Sequence, residues 1–172
     1  HANARFFPKN VSIPDYMNGF RLITIPNIDL STRTSLSSFF YNDASLRRIP
    51  EIDTSSCTDF SSLFYNCTNL TKVPNLNTSN GINFGAMFQG CVELKEIPEL
   101  DLSSGTYFGS MFKACGSLKR LGALNTNSGT MFNSMFLDCK QLEFIDDIET
   151  ESGTDFQYMF QNFLLLYALI LH

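Results

Sequence analysis

Leu94-Lys95-Glu96-Ile97-Pro98-Glu99-Leu100-Asp101-Leu102-Ser103-Ser104-Gly105-Thr106-Tyr107-Phe108-Gly109-Ser110-Met111-Phe112-Lys113-Ala114-Cys115-Gly116-Ser117 is one copy of a pattern that the chain repeats every 24 residues. Moving outward in steps of 24, Phe112 becomes Phe88, Phe64 and Phe40 on one side and Phe136 and Phe160 on the other. Leu94 belongs to the column Leu22, Leu46, Leu70, Leu94, Leu118, Leu142 and Leu166. Ile97 belongs to Ile25, Ile49, Val73, Ile97, Leu121, Ile145 and Leu169, and Phe108 to Phe60, Phe84, Phe108, Phe132 and Phe156. No insertion or deletion interrupts the series. The boundaries that follow are an N-terminal cap over 1–21, six repeats of 24 residues over 22–165, and a partial seventh repeat or C-terminal cap over 166–172. The reuse of a few positions also explains an odd composition, with 17 Phe and no Trp.

Two periodicities alternate inside each copy. Phe60, Leu63, Phe64 and Cys67 stand at i, i+3, i+4 and i+7, which is one face of an α-helix. Capping residues such as Asp53-Thr54-Ser55-Ser56 lie upstream of that face. Gly81, Gly105, Gly129 and Gly153 hold one turn position, where a positive φ would suit glycine. Leu46-Arg47-Arg48-Ile49-Pro50-Glu51-Ile52 reads as a short extended strand, interrupted at a proline that has no N–H to give to a ladder. Such a unit cannot bury its own apolar side, so stacking must do it. The expected fold class is an α/β solenoid, with one short parallel strand and one short helix per 24-residue repeat and a step of about 4.8 Å between strands.

The lines Ile97-Pro98-Glu99-Leu100-Asp101-Leu102-Ser103 and Phe108-Gly109-Ser110-Met111-Phe112-Lys113-Ala114-Cys115 resemble the leucine-rich repeats of BspA-like bacterial surface proteins, in the variant that carries Met-Phe-x-x-Cys in the helix. The resemblance spans about residues 20 to 170. It implies a leucine-rich-repeat solenoid and an extracellular recognition or adhesion role with protein or glycan partners. Related repeats also occur in phage proteins, so a structural or host-attachment component of a phage particle is the alternative. Gly122 and Asp146 depart from the Pro column, and Asp43 and Phe163 from the Cys column, which marks drift toward the ends of the array.

Three columns invite a chemical reading. Cys67, Cys91, Cys115 and Cys139 end the apolar stripe, so an inward-facing ladder of packed thiols is expected in place of a zinc site, whose paired cysteines stand two to four residues apart. Cys57 falls in the Gly column, at a turn position open to exposure. Asp29, Asp53, Asn77, Asp101, Asn125 and Glu149 form an oxygen ladder. It is suited either to calcium, which takes six to eight oxygens, or to closing the tight turn after each strand; recurrence in every copy favours the turn. Arg47, Arg48, Lys72, Lys95, Lys119 and Arg120 fill the two slots between the strand's Leu and Ile, and Glu51, Glu99 and Asp147 stand one slot past the Pro. These side chains form either a solvated edge with ion pairs of small worth or a binding face for an anionic glycan or an acidic protein patch. The second is the binding face put forward, with Arg47, Arg48, Lys72, Lys95, Lys119, Arg120, Glu51 and Glu99 as its members.

Other chemistries find little support. Net charge is −5, which argues against a nucleic-acid binder. The only histidines are His1 and His172, so neither a Ser-His-Asp nor a Cys-His arrangement can be built inside the repeats. No phosphate-cradling glycine motif occurs. The sequence therefore points to a protein that is not an enzyme, with no catalytic residue, metal ligand or cofactor. No apolar run is long enough to span a membrane. The segment Leu164 to Leu171 reads as a buried cap, as a contact through which the chain oligomerises, or as a truncated seventh copy; the chain begins with His1, as a processed chain or fragment would.

Overall fold

The computed structural model of the protein describes residues 29–162. The cap expected over 1–21 and the apolar segment Leu164 to Leu171 lie outside the described residues. Within them, successive 24-residue units lie beside one another in parallel. The bridges Ser35 to Asp59, Asp59 to Asn83, Asn83 to Tyr107, Tyr107 to Met131 and Met131 to Asp155 all advance by one unit, and so does Leu124 to Ile148. The inside is one continuous core of Phe, Leu, Met and Cys columns. Two Phe ladders run through it, with ring centroids of successive units 5.3 to 5.7 Å apart and nearly parallel.

Among the described residues the leucine segment forms regular strand in one place. Strand β1 (Arg120–Leu121) pairs in parallel with strand β2 (Phe144–Ile145), in the register Arg120 to Phe144 and Leu121 to Ile145. The proline column accounts for part of this. The Asp146 amide donates to the Leu121 carbonyl at 3.1 Å. At Pro50, Pro74 and Pro98 the equivalent donor is missing, because proline has no N–H, whereas Gly122 has one and makes no such bond to Ile97. Among the described residues the ladder becomes regular at Asp146 and not at Gly122, so a free N–H is needed but is not enough. Burial in this segment also follows a step of three, with Leu46, Ile49 and Ile52 inside and Arg47, Arg48 and Glu51 exposed.

No helix occurs among the described residues, which corrects the expectation for Phe60 to Cys67 and its counterparts. The buried positions are those the helical spacing selects, Phe60, Leu63, Phe64 and Cys67, but the backbone is a chain of tight turns. The amides of Leu63, Tyr65 and Cys67 donate to the carbonyls of Phe60, Ser62 and Phe64, each three residues back. The amides of Phe60, Ser62, Phe64 and Asn66 donate instead to Asn83, Gly85, Met87 and Gln89 of the next unit, at 2.7 to 2.8 Å. The Ser61 amide donates to Asp59 Oδ1 at 3.0 Å. Every amide from 60 to 67 thus has a partner, as burial demands. The backbone part of this pattern recurs from Leu36 to Asp43, Phe84 to Cys91, Phe108 to Cys115 and Phe132 to Cys139.

This geometry requires a positive φ at the third residue of alternate turns, as in type II turns. Ser62 and Asn66 supply it, as do Ala86 and Gly90, Ser110 and Ala114, and Ser134 and Asp138. Apart from Tyr158, every residue so placed is Gly, Ala, Ser, Asn or Asp, side chains short enough to limit the steric cost. Spacing between units decides against the helix. Packed helices sit 8–10 Å apart, whereas strands sit about 4.8 Å apart. Rings that stack at 5.3 to 5.7 Å require the closer pitch on the Phe side as well.

Candidate functional site

The oxygen column is built into the backbone. Asp29, Asp53, Asn77 and Asp101 accept through Oδ1 from the amides of Ser31, Ser55, Ser79 and Ser103, at 2.9 to 3.2 Å. The Ser31, Ser79 and Ser103 hydroxyls donate to the same oxygens. Asn125 and Glu149 are followed two residues on by Asn127 and Glu151 in place of serine. The serine hydrogen bonds hold the carboxyls of Asp29, Asp53 and Asp101 below the usual carboxylate range. These oxygens serve their own turns, which is the structural one of the two readings.

The cysteines are all free thiols and all buried. Cys67, Cys91, Cys115 and Cys139 donate their S–H to the carbonyls of Phe40, Phe64, Phe88 and Phe112 in the preceding unit, at 2.9 to 3.1 Å. Cys57 is not at the surface: its side chain is buried and donates to the Arg33 carbonyl at 3.0 Å. At the glycines that hold this position in other units, an added Cβ would meet the ring of Phe84 or Phe108. Burial pushes the thiols up, to about 11 at Cys57 and about 12 at Cys91 and Cys139. A thiol held protonated and inside is a poor nucleophile and a poor metal ligand.

All eight residues of the expected binding face are exposed. Three shallow concavities open beside them, between successive leucine segments. The first is bordered by Arg48, Glu51, Lys72 and Pro74, and the second by Glu51, Lys72, Pro74, Glu96 and Pro98. The third lies between Pro98, Glu99, Gly122 and Asp146. The first and second share Glu51, Lys72, Val73 and Pro74, and the second and third share Ile97 and Pro98, so they follow one another along the proline column. The structure thus gathers Arg48, Glu51, Lys72 and Glu99 along one line. Arg47, Lys95, Lys119 and Arg120 border none of the three concavities. Arg120 turns its guanidinium over the Phe144 ring, 5.0 Å from the centroid.

Two features of this face escape a count of cations. Glu96 occupies the same slot as Arg48 and Lys72, and it forms an ion pair with Lys72 at 3.7 Å. Phe144 occupies that slot one unit after Arg120 and is 47 % exposed, an unusual place for a large apolar ring. Both could have been read from the sequence by following the slot itself instead of its basic members.

Fold and face together define a repeat protein with a hydrogen-bonded, chemically quiet core and a variable charged surface. The chain belongs to the family described as "Mycoplasma protein of unknown function, DUF285", whose model matches residues 34–143 and 109–166. No curated protein and no solved structure matches it. Among the described residues no helix is long and apolar enough to cross a membrane.

Proposed function

We propose that this chain is a non-enzymatic recognition or adhesion module of the BspA-like leucine-rich-repeat kind, a solenoid working at a cell surface. It binds a protein or glycan partner through its leucine-segment face. The observation that carries this reading is the run of three linked concavities along the proline column, flanked by exposed charged side chains. Lys72–Glu96 is the one ion pair formed there among the described residues, and it is highly exposed. Arg47, Arg48, Glu51, Lys95, Glu99 and Lys119 are exposed and stand outside that pair. A catalytic reading gains nothing from the thiols, which are buried and occupied by carbonyls.

The test is charge reversal at Arg48 and Lys72 together, in the full chain, with an immobilised sulfated polysaccharide as probe. Loss of one strong electrostatic contact corresponds to roughly tenfold weaker retention, about 1.4 kcal/mol. Retention by the wild type that salt weakens and the double reversal abolishes supports the reading. Retention equal in both chains would move the binding face elsewhere.

A further inference from the structure

The proline column Pro50, Pro74, Pro98 stops at Gly122. A Cβ added at Gly122 would meet no atom within 4 Å, so the missing side chain leaves open space on the surface. The third concavity, of about 350 Å³, sits over this gap. Its lining is part apolar and part polar: Ile97, Pro98 and Ala123 supply the accessible apolar surface, Leu121 and Leu124 are buried, and the acidic residues Glu99 and Asp146 are among those that line it. The second concavity, one unit back, offers a comparison within the same molecule. There Val73, Pro74, Ile97 and Pro98 supply apolar walls and Glu96 a carboxylate, and the chain's own Lys72 lies among them, 3.7 Å from Glu96. The notch at Gly122 repeats that setting with two carboxylates and no lysine of its own. Arg120, in the same unit, is turned toward Phe144.

We propose that the notch at Gly122 is a subsite for one lysine or arginine side chain of a protein partner. A long basic side chain matches both parts of the site: its methylene stem lies along Ile97, Pro98 and Ala123 and its charged head reaches the two carboxylates. A bare divalent cation matches poorly, because calcium wants six to eight oxygens and the lining side chains bring only two carboxylates. The proposal rests on the reading of the leucine-segment face as a recognition surface and narrows the partner to a protein with an exposed basic residue.

The experiment titrates the isotopically labelled full chain with Nα-acetyl-lysine methylamide and with the uncharged norleucine analogue, following backbone amide signals. The lysine probe is expected to shift the amides of Glu99, Leu100, Ala123 and Asp146 saturably, and the norleucine probe to shift them far less. Gly122→Pro restores the residue of the other units, at a position whose φ is not left-handed, and is expected to abolish the response. Glu99→Gln combined with Asp146→Asn does the same by removing charge, and decides the matter if Gly122→Pro folds poorly. Absence of shifts at these amides, or an unchanged response in both variants, overturns the proposal. Failure here with intact charge-dependent retention at Arg48 and Lys72 removes the notch and keeps the recognition face; failure of both removes the face.

Discussion

The turn segment, Phe60 to Cys67 in one unit, and the leucine segment, Leu46 to Ile52, are built from the same 24-residue repeat and behave in opposite ways. In the turn segment each junction between units carries four backbone hydrogen bonds, for example from Phe84, Ala86, Phe88 and Gly90 to Tyr107, Gly109, Met111 and Lys113. Its side chains stack Phe on Phe and seat each thiol on a carbonyl. In the leucine segment Pro50, Pro74 and Pro98 each delete a ladder donor, and among the described residues a regular strand pair appears only between β1 and β2. Its outward slots vary from Arg48 through Glu96 to Phe144. Cohesion is concentrated on one side of the unit and variation on the other. A repeat protein can therefore change its surface without changing its stack.

The largest effect follows from cutting the Phe ladder. Phe88 is fully buried between Phe64 and Phe112, 5.6 and 5.7 Å away. Phe88→Ala is expected to cost about 3–5 kcal/mol. Lys95→Ala on the leucine face should stay within about 0.5 kcal/mol. Urea unfolding of the two variants compares the sides directly, and similar losses would break the contrast.

The thiol column gives a second effect, smaller and dependent on pH. Burial holds Cys91 and Cys139 protonated to about pH 12, against an ordinary value near 9 in the unfolded chain. Stability from this source is whole below 9 and is lost as pH rises from 9 toward 12, because the unfolded state releases its protons first. All five cysteines should resist an aromatic disulfide reagent in the native protein and react once it is unfolded. Rapid labelling of even one in the native chain would show that the turn side opens.

The smallest effect is also the sharpest, because its sign separates two backbones. Ala114 sits at φ 58. In a helix, Ala→Gly costs about 1 kcal/mol. In a left-handed turn position the same change relieves steric strain and is expected to be neutral or stabilising by up to about 1 kcal/mol. A clear loss of stability in Ala114→Gly would restore the helix and remove the basis of the comparison.

Much of this was legible before any coordinates. Columns repeating at 24 residues mark what is buried, because a position reused in every unit meets the same neighbours in every unit. The apolar stripe, the inward thiols and the turn role of Asp53 and Asp101 follow from that logic and from the short reach of an Asx side chain. Cys57 did not follow, because a single departure from a glycine column says nothing about which way the thiol turns. Nor did the helix. Spacing at i, i+3, i+4 and i+7 reports which side chains face inward and leaves open where the amides go.

The partner of an amide is decided by what stands beside it. Phe64 N–H could close a helical bond within its own unit, yet it meets the Met87 carbonyl of the next at 2.8 Å. Neighbours at strand pitch offer acceptors that a helix, needing twice the room, would push out of reach. The sequence by itself determined the period, the inward columns and the kinds of charge on the outside. Only the tertiary structure decided that the stripe is a run of turns, that Lys72 faces Glu96, and that Gly122 opens a gap between Glu99 and Asp146. Each of these depends on contacts between residues about one unit apart, which exist only once the units are stacked.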